Sequence, residues 1–509
     1  MLFNSFGFLF LYLPFVLVIL FFLSRHQPWL APAWLFFASL VFYAGWSAAY
    51  VPLLLGSIAF NFILGKRISE LAAGRQQDAA KWFLALGIGA NLLLLGYYKY
   101  AGFFGRIVEG STGIDLALSG VVLPVGISFF TFTQIAYLVD AQRGLTKEYD
   151  PIRYGLFVSY YPHLVAGPIL HHREMMEQFV KPGAFRFNSL DLAAGMALFL
   201  IGLGKKVLIA DSIAPIADSV FGLGKQTSLT MAEAWVGVLA YTLQIYFDFS
   251  GYSDMALGLA RMMGIRLPLN FNSPYKATNI IEFWRRWHMT LSRFLRDYLY
   301  IPLGGNRKGP ARRYLNVFIT MVLGGLWHGA EWTFIVWGGL HGLYLAINHA
   351  WRAVVTRPGN RLTHFAGWAL TFLAVVVGWV FFRADNLEVA FGMLRSMFGG
   401  NGIPLSASIA AWLTEFTGHT FFAASIFEHS LFKPVEALVL LGTVLAMALF
   451  LPNSQEMLAR YEPALEKIET PNPRFVWRPN IAWGVGLGVL FAVCITRIGG
   501  ESPFLYFRF

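Results

Sequence analysis

The chain has 509 residues, 57% of them hydrophobic with 50 glycines besides, and only 13% charged, against about 25% charged in a soluble domain. There are 39 Lys+Arg and 28 Asp+Glu, a net charge of +11, and a single cysteine, Cys494. This excludes a disordered chain and a disulfide-stapled secreted scaffold. Apolar runs of about 20 residues are helix-length, too long for outer-membrane strands. The expected fold class is an all-α polytopic membrane protein, one integral-membrane unit over 1–509. The positive excess fits cytoplasmic loops obeying the positive-inside bias, and no basic domain stands apart to bind nucleic acid.

In chain order, 6–23 is the first span. It lacks a basic leader and a cleavage site, so it is not a signal peptide, and Arg25 behind it puts the N-terminus outside. Residues 30–50 form a second span, with 51–64 as a short, tilted continuation. Lys66, Arg67, Arg75 and Lys81 mark a cytoplasmic loop. Further apolar stretches cover 82–98, 121–139, 154–170, 190–209, 232–262, 315–327, 332–350, 365–382, 435–451 and 481–495, and not all need cross. The 121–139 stretch carries Pro124 and Gly126, so its backbone is expected to be irregular and protein-covered. The insert 386–433 has only Arg395 and Lys433 as cations and belongs outside. The 452–480 stretch holds Arg460, Lys467, Arg474 and Arg478 and belongs inside.

Three polar constellations interrupt these runs. In 279–300, NIIEFWRRWHMTLSRFLRDYLY, Asn279 and Glu282 have the spacing of a capping box. Ile280, Trp284, Trp287, Leu291, Phe294 and Tyr298 share one helical face. An amphipathic helix at the cytoplasmic interface is expected. Its Arg285, Arg286 and Arg296 suit either anionic lipid or the phosphates of a donor molecule. His288 lies on the apolar margin of that helix. His328 ends an apolar run between Gly324, Gly325 and Gly329. There it is either a packing histidine or a base able to take a proton from a hydroxyl. Asp248 and Asp254, with Ser250 and Tyr252 between them, are too costly to bury alone. They either bind acceptor hydroxyls or pair with the arginines. His341 and Asn348 share a helix face and suit helix–helix hydrogen bonds. His171 and His172 diverge on a helix and have no cysteine cluster near them, so no metal site is expected. Walker A and G-x-S-x-G sequences are missing, which argues against an ATP-driven pump and a serine hydrolase.

FWRRWHMTLS (283–292), YIPLGG (300–305), GLWHGAEWTFIVWG (325–338) and DFSGYSD (248–254) strongly resemble the membrane-bound O-acyltransferases. NFNSPY (270–275), YPHLVAGPI (161–169) and the C-terminal SPFLYFRF fit the bacterial branch that holds the alginate O-acetyltransferase membrane component. The likeness covers most of the chain and is densest over about 120–350. It implies a bundle of tilted and re-entrant helices around a funnel or tunnel, in the bacterial inner membrane. His328 falls on the family's catalytic histidine and His288 on its second polar position. Asp248, Ser250, Tyr252, Asp254, Arg285, Arg286, Arg296, Trp287 and Trp327 are then expected to contact substrates. Acetyl-CoA is implied as the acyl-donor substrate, with no bound cofactor. An exported polysaccharide, alginate or another, is implied as acceptor, reached directly or through an extracytoplasmic SGNH-type partner. D-alanyl transfer to teichoic acid and transport of a polysaccharide precursor remain as alternatives.

Overall fold

The computed structural model describes residues 1–499 and 502–505, apart from 117, 119, 147–149, 356–359, 402–406, 418–426, 428, 430 and 469–474. Among the described residues every regular element is helical. Five helical runs among the described residues are long and apolar enough to cross a membrane: Gly7–His26, Pro28–Ala73, Gln77–Thr112, Ser189–Leu223 and Arg361–Arg383. Pro434–Phe450 with Ser454–Tyr461 makes a sixth if the pair, bent by 48°, is one span. Pro452 lies at that bend, where its missing N–H and fixed φ stop the helix. The second and third apolar stretches join into one run that continues to Ala73, so Lys66 and Arg67 sit on helix, not in a loop.

The helix Met231–Met262 is the axis of the molecule. A capping box of Thr230 and Glu233 closes its N-terminus, and nearly all its residues from Ala234 onward are buried. It is solvated by protein, so its three carboxylates, Glu233, Asp248 and Asp254, are buried within protein and not against lipid. Ser189–Gly204 lies against it at very short range. A Cβ built on Gly195 would come 2.6 Å from the Gly258 carbonyl oxygen, and one on Gly202 would come 2.6 Å from that of Gly251. Small residues in matching positions let two backbones meet in this way. The hairpin of Gly309–His328 and Trp332–Val354 is closed similarly: a Cβ on Gly325 would run into the Phe334 carbonyl, and one on Gly338 into that of Met321.

Two apolar clusters divide the interior. The N-terminal helices pack around the second half of the axis, from Tyr252 to Met263. The Trp332–Val354, Arg361–Arg383 and Pro434–Phe450 helices pack around its first half, from Ala234 to Phe249.

The 154–170 stretch is two short helices, Pro151–Ser159 and Tyr161–Leu164, split at Tyr160. The 121–139 stretch turns helical only at Ile127, after Gly126 at φ 78°. Its Cβ position faces the Leu164 carbonyl at 2.8 Å, so the two broken segments hold each other. Of the insert 386–433, Leu387–Met397 buries Val389, Ala390, Met393 and Met397 in the second cluster. Ala407–Thr417 is also helical; the rest of its interior lies largely outside the described residues. So do the last four residues of the SPFLYFRF motif.

Candidate active site

The segment expected as one interfacial helix is not one helix. Asn279 caps as expected, its side chain accepting from the Glu282 N–H at 3.0 Å, but Ile280–Trp284 is only five residues long. The chain then turns through His288, at φ 41° and ψ 55°, before Met289–Leu295 resumes. A histidine in this left-handed region is uncommon. The opened backbone finds its partners in NFNSPY: Asn272 N–H donates to the Arg286 carbonyl at 2.9 Å, and Met289 N–H to that of Asn270 at 2.9 Å. Thr290 Oγ1 donates to Asn270 Oδ1 at 2.6 Å and accepts from Ile169 N–H at 3.0 Å. Three of the sequence motifs thus meet in one network that satisfies buried backbone, as burial demands. The apolar face (Trp284, Trp287, Leu291, Phe294) packs into protein and not lipid.

This turn carries His288 into the interior. Its ring stands 4.9 Å from Phe249, edge to face, and 6.3 Å from Trp327. His328 is the last residue of Gly309–His328. Its ring lies 5.1 Å from Trp337 and 5.2 Å from Phe382. The two imidazoles are 6.3 Å apart between centroids. Two histidines from separate segments are thus brought together, both buried, within aromatic walls. His341 stands behind: Trp284 Nε1–H donates to its Nδ1 at 3.3 Å, and its ring is 4.8 Å from Trp337. The helix–helix hydrogen bond expected of His341 is therefore made.

Trp327 belongs to this box. Trp287 lies on its margin, stacked on Phe283 at 5.7 Å and 4.8 Å from Trp379. The DFSGYSD stretch is held elsewhere. Asp248 pairs with Lys206 at 2.7 Å and accepts from the Leu505 N–H at 2.9 Å. Asp254 pairs with Lys205 at 2.6 Å and accepts from Ser454 Oγ at 2.5 Å. Tyr252 stacks on Phe3 and meets Phe504 edge-on, and Ser250 is buried in the same turn. Both carboxylates do form ion pairs, with lysines of the neighbouring helix in place of the expected arginines.

The arginines separate too. Arg285 lines a cavity of about 430 Å³ together with Arg293, Arg296, Ser292, Met289 and Glu466. Arg293 is bidentate on Glu174, at 2.7 and 3.1 Å, and Arg296 pairs with Asp297 at 2.7 Å. Burial pushes the Glu466 carboxyl above its ordinary range, opposed by the Leu269 N–H and by Arg293. Arg286 points away, on Glu282 at 2.8 Å and the Asn272 carbonyl at 3.2 Å. His171 and His172 take separate partners, Tyr298 and Thr146.

Sequence reasoning passed over Lys99 and Tyr100. Lys99 Nζ donates to the carbonyls of Trp327 at 2.5 Å and His328 at 3.1 Å, and Tyr100 Oη to that of Leu326 at 2.8 Å. In sequence they only flank an apolar run. The weak signal was a cation and a phenol at its end with no acidic neighbour.

Fold and site together define a multi-pass, all-helical membrane protein with a histidine pair buried in its interior beside an arginine-lined cavity. Residues 121–390 match the model of the membrane-bound O-acyltransferase family, MBOAT, and the chain belongs to that family. It is an O-acyltransferase and uses an acyl donor. Over its whole length it is 41% identical to the whole of the probable alginate O-acetylase AlgI of Pseudomonas aeruginosa. It is 39% identical, again over its whole length, to 98% of the peptidoglycan O-acetyltransferase of Helicobacter pylori. A teichoic acid D-alanyltransferase of Bacillus subtilis is 28% identical over 51% of this chain and 68% of its own.

Proposed function

We propose that this enzyme takes an acetyl group from cytoplasmic acetyl-CoA and delivers it across the bacterial inner membrane to hydroxyls of an exported polysaccharide, directly or through an extracytoplasmic SGNH-type partner. The observation that carries the reading is the histidine pair, 6.3 Å between ring centroids, with an arginine-bearing cavity of about 430 Å³ lined by Trp284 and Met289 of the same segment as His288. The full-length likeness to acetylases, against a partial one to a D-alanyltransferase, favours acetyl over D-alanyl.

In the reaction, His328 acts as general base. An imidazole is largely neutral near pH 7 and accepts the hydroxyl proton as the oxygen attacks the thioester carbonyl. The C–O bond forms, the C–S bond breaks, and the imidazolium returns its proton to the departing thiolate. His288 steadies the reacting groups across the gap. The aromatic walls keep water from the thioester, which would otherwise be lost to hydrolysis. Arg285 and its neighbours receive the phosphates of coenzyme A.

The test is reconstitution in nanodiscs with acetyl-CoA and an oligosaccharide acceptor, following free thiol and acetyl ester together. Equal release of both, lost in His328→Ala, is expected. Wild-type transfer by correctly inserted His328→Ala overturns the assignment. The topology that goes with it has Gln77 cytoplasmic and Asn401 external; cysteines placed there, after Cys494 is replaced, should label from opposite sides.

A further inference from the structure

We propose that Lys99 is a positioning residue for the reacting histidine: its ammonium clamps the carbonyl end of the helix that terminates in His328 and so fixes where that imidazole points. The inference rests on the reading of His328 as the base.

An ammonium has three N–H donors and no acceptor. Lys99 spends them on the Trp327 carbonyl at 2.5 Å, the His328 carbonyl at 3.1 Å and Ser128 Oγ at 3.3 Å. Tyr100 closes the Leu326 carbonyl at 2.8 Å. Two adjacent residues of the Gln77–Thr112 run therefore satisfy three consecutive carbonyls of a helix 226 to 229 positions away. The last four carbonyls of a helix have no partner inside it and carry the negative end of its dipole. A cation is the complementary group. Lys205 and Lys206 answer buried carboxylates; Lys99 answers main-chain oxygens and a hydroxyl. With its donors committed, it is placed to hold the helix and not to seize a substrate.

Two further contacts make the clamp matter to the site. The ammonium lies 5.8 Å from the centre of the Trp327 ring, which itself stands 5.0 Å from His328 and 6.3 Å from His288. On the same side a cavity of about 90 Å³, lined by Lys99, Gly126, Ser128 and Trp327, adjoins the helix end. Packing is open there, so the hydrogen bonds carry the restraint. A displacement of about 1 Å at a reacting group can cost a hundredfold in rate.

The experiment compares Lys99→Met, Lys99→Arg, Tyr100→Phe and His328→Ala as full chains in nanodiscs, with thermal stability and donor kinetics on each. Lys99→Met is expected to lower kcat about tenfold or more while the donor KM stays within about twofold, because the binding cavity is untouched. Lys99→Arg keeps donors for the carbonyls and should hold kcat within about threefold of wild type. Tyr100→Phe, which frees one carbonyl of three, should fall between. Folded Lys99→Met with wild-type kcat, or with its loss in KM alone, overturns the proposal. If Lys99→Met does not insert, Lys99→Gln is judged by the same two criteria. An active His328→Ala defeats the assignment of the base itself; an inactive one beside a fully active Lys99→Met defeats only the clamp.

Discussion

Asp248 and Phe249 are neighbours on the axial helix, yet one belongs to an anchor and the other to the site. On the anchor side, Asp248 and Asp254 bind Lys206 and Lys205 and, through them and by direct hydrogen bonds, Leu505, Ser502 and Ser454. These bonds tie the end of the chain to its middle, about 200 to 300 residues apart. On the other side, Phe249 forms a wall for His288. Both regions place ionisable groups in a membrane-protein interior. In one, each charge meets a counter-charge and hydroxyls, which is how a buried ion pair is tolerated. In the other, two titratable rings face aromatic rings. The comparison teaches that intramembrane polarity alone does not mark chemistry: Asp248 and Asp254 are spent on the fold, through lysines, a hydroxyl and a main-chain N–H, while the proposed reaction would draw on the histidine pair.

The sharpest way to break that comparison is to remove one member from each side. His328→Ala should cut turnover about 100- to 10,000-fold while leaving the melting temperature and membrane yield near wild type. Asp254→Ala should do the converse. It strands Lys205, and losing one partner of a buried pair costs about 3–5 kcal/mol, seen as a lowered melting temperature and poor yield. The fraction that folds should keep a normal donor KM. If Asp254→Ala is stable but inactive, the anchor is part of the active site and the two regions are one. Next in size is the helix crossing: Gly202→Val puts methyls where 2.6 Å separates a Cβ from a carbonyl oxygen. Overpacking of this kind typically costs about 1–3 kcal/mol, read by thermal unfolding in detergent. An unchanged melting temperature would mean that the axial helix and its neighbour can part without penalty.

Much of this was legible beforehand. The length of the apolar runs fixed the class. The glycine frame of His328 and the quoted motifs pointed to the histidine pair. The carboxylates need partners on sequence grounds alone, but Lys205 and Lys206 stand inside the apolar run at 190–209, and nothing local marks them, in place of the arginines, as those partners. The turn at His288 was not legible because no proline or glycine marks 285–288; what permits it is Asn270 and Asn272, whose backbones take up the freed groups. Helical periodicity is a local signal and does not report a hydrogen-bond partner elsewhere in the chain. The axial crossing did have a signal that periodicity reading passes over. Gly195 and Gly202 repeat at the same spacing as Gly251 and Gly258, a pattern whose meaning depends on knowing that the two helices meet.

The smallest expected difference is between two adjacent arginines, and it sharpens where the donor side lies. Arg285 is exposed and lines the 430 Å³ cavity; Arg286 is held by Glu282, with about 31% and 29% of the two side chains exposed. A hydrogen bond to a charged group contributes about 1.5–3 kcal/mol, and 1.4 kcal/mol is a decade in affinity. Arg285→Ala should therefore raise the donor KM about tenfold with kcat little changed. Arg286→Ala breaks a half-exposed pair worth up to about 1 kcal/mol and should shift stability slightly, with KM within about twofold. Should Arg286→Ala raise KM as much as Arg285→Ala, its pair with Glu282 would have to open for the donor. Should neither change matter, the arginines serve anionic lipid, and the same variants would show it as weaker retention in vesicles rich in anionic headgroups.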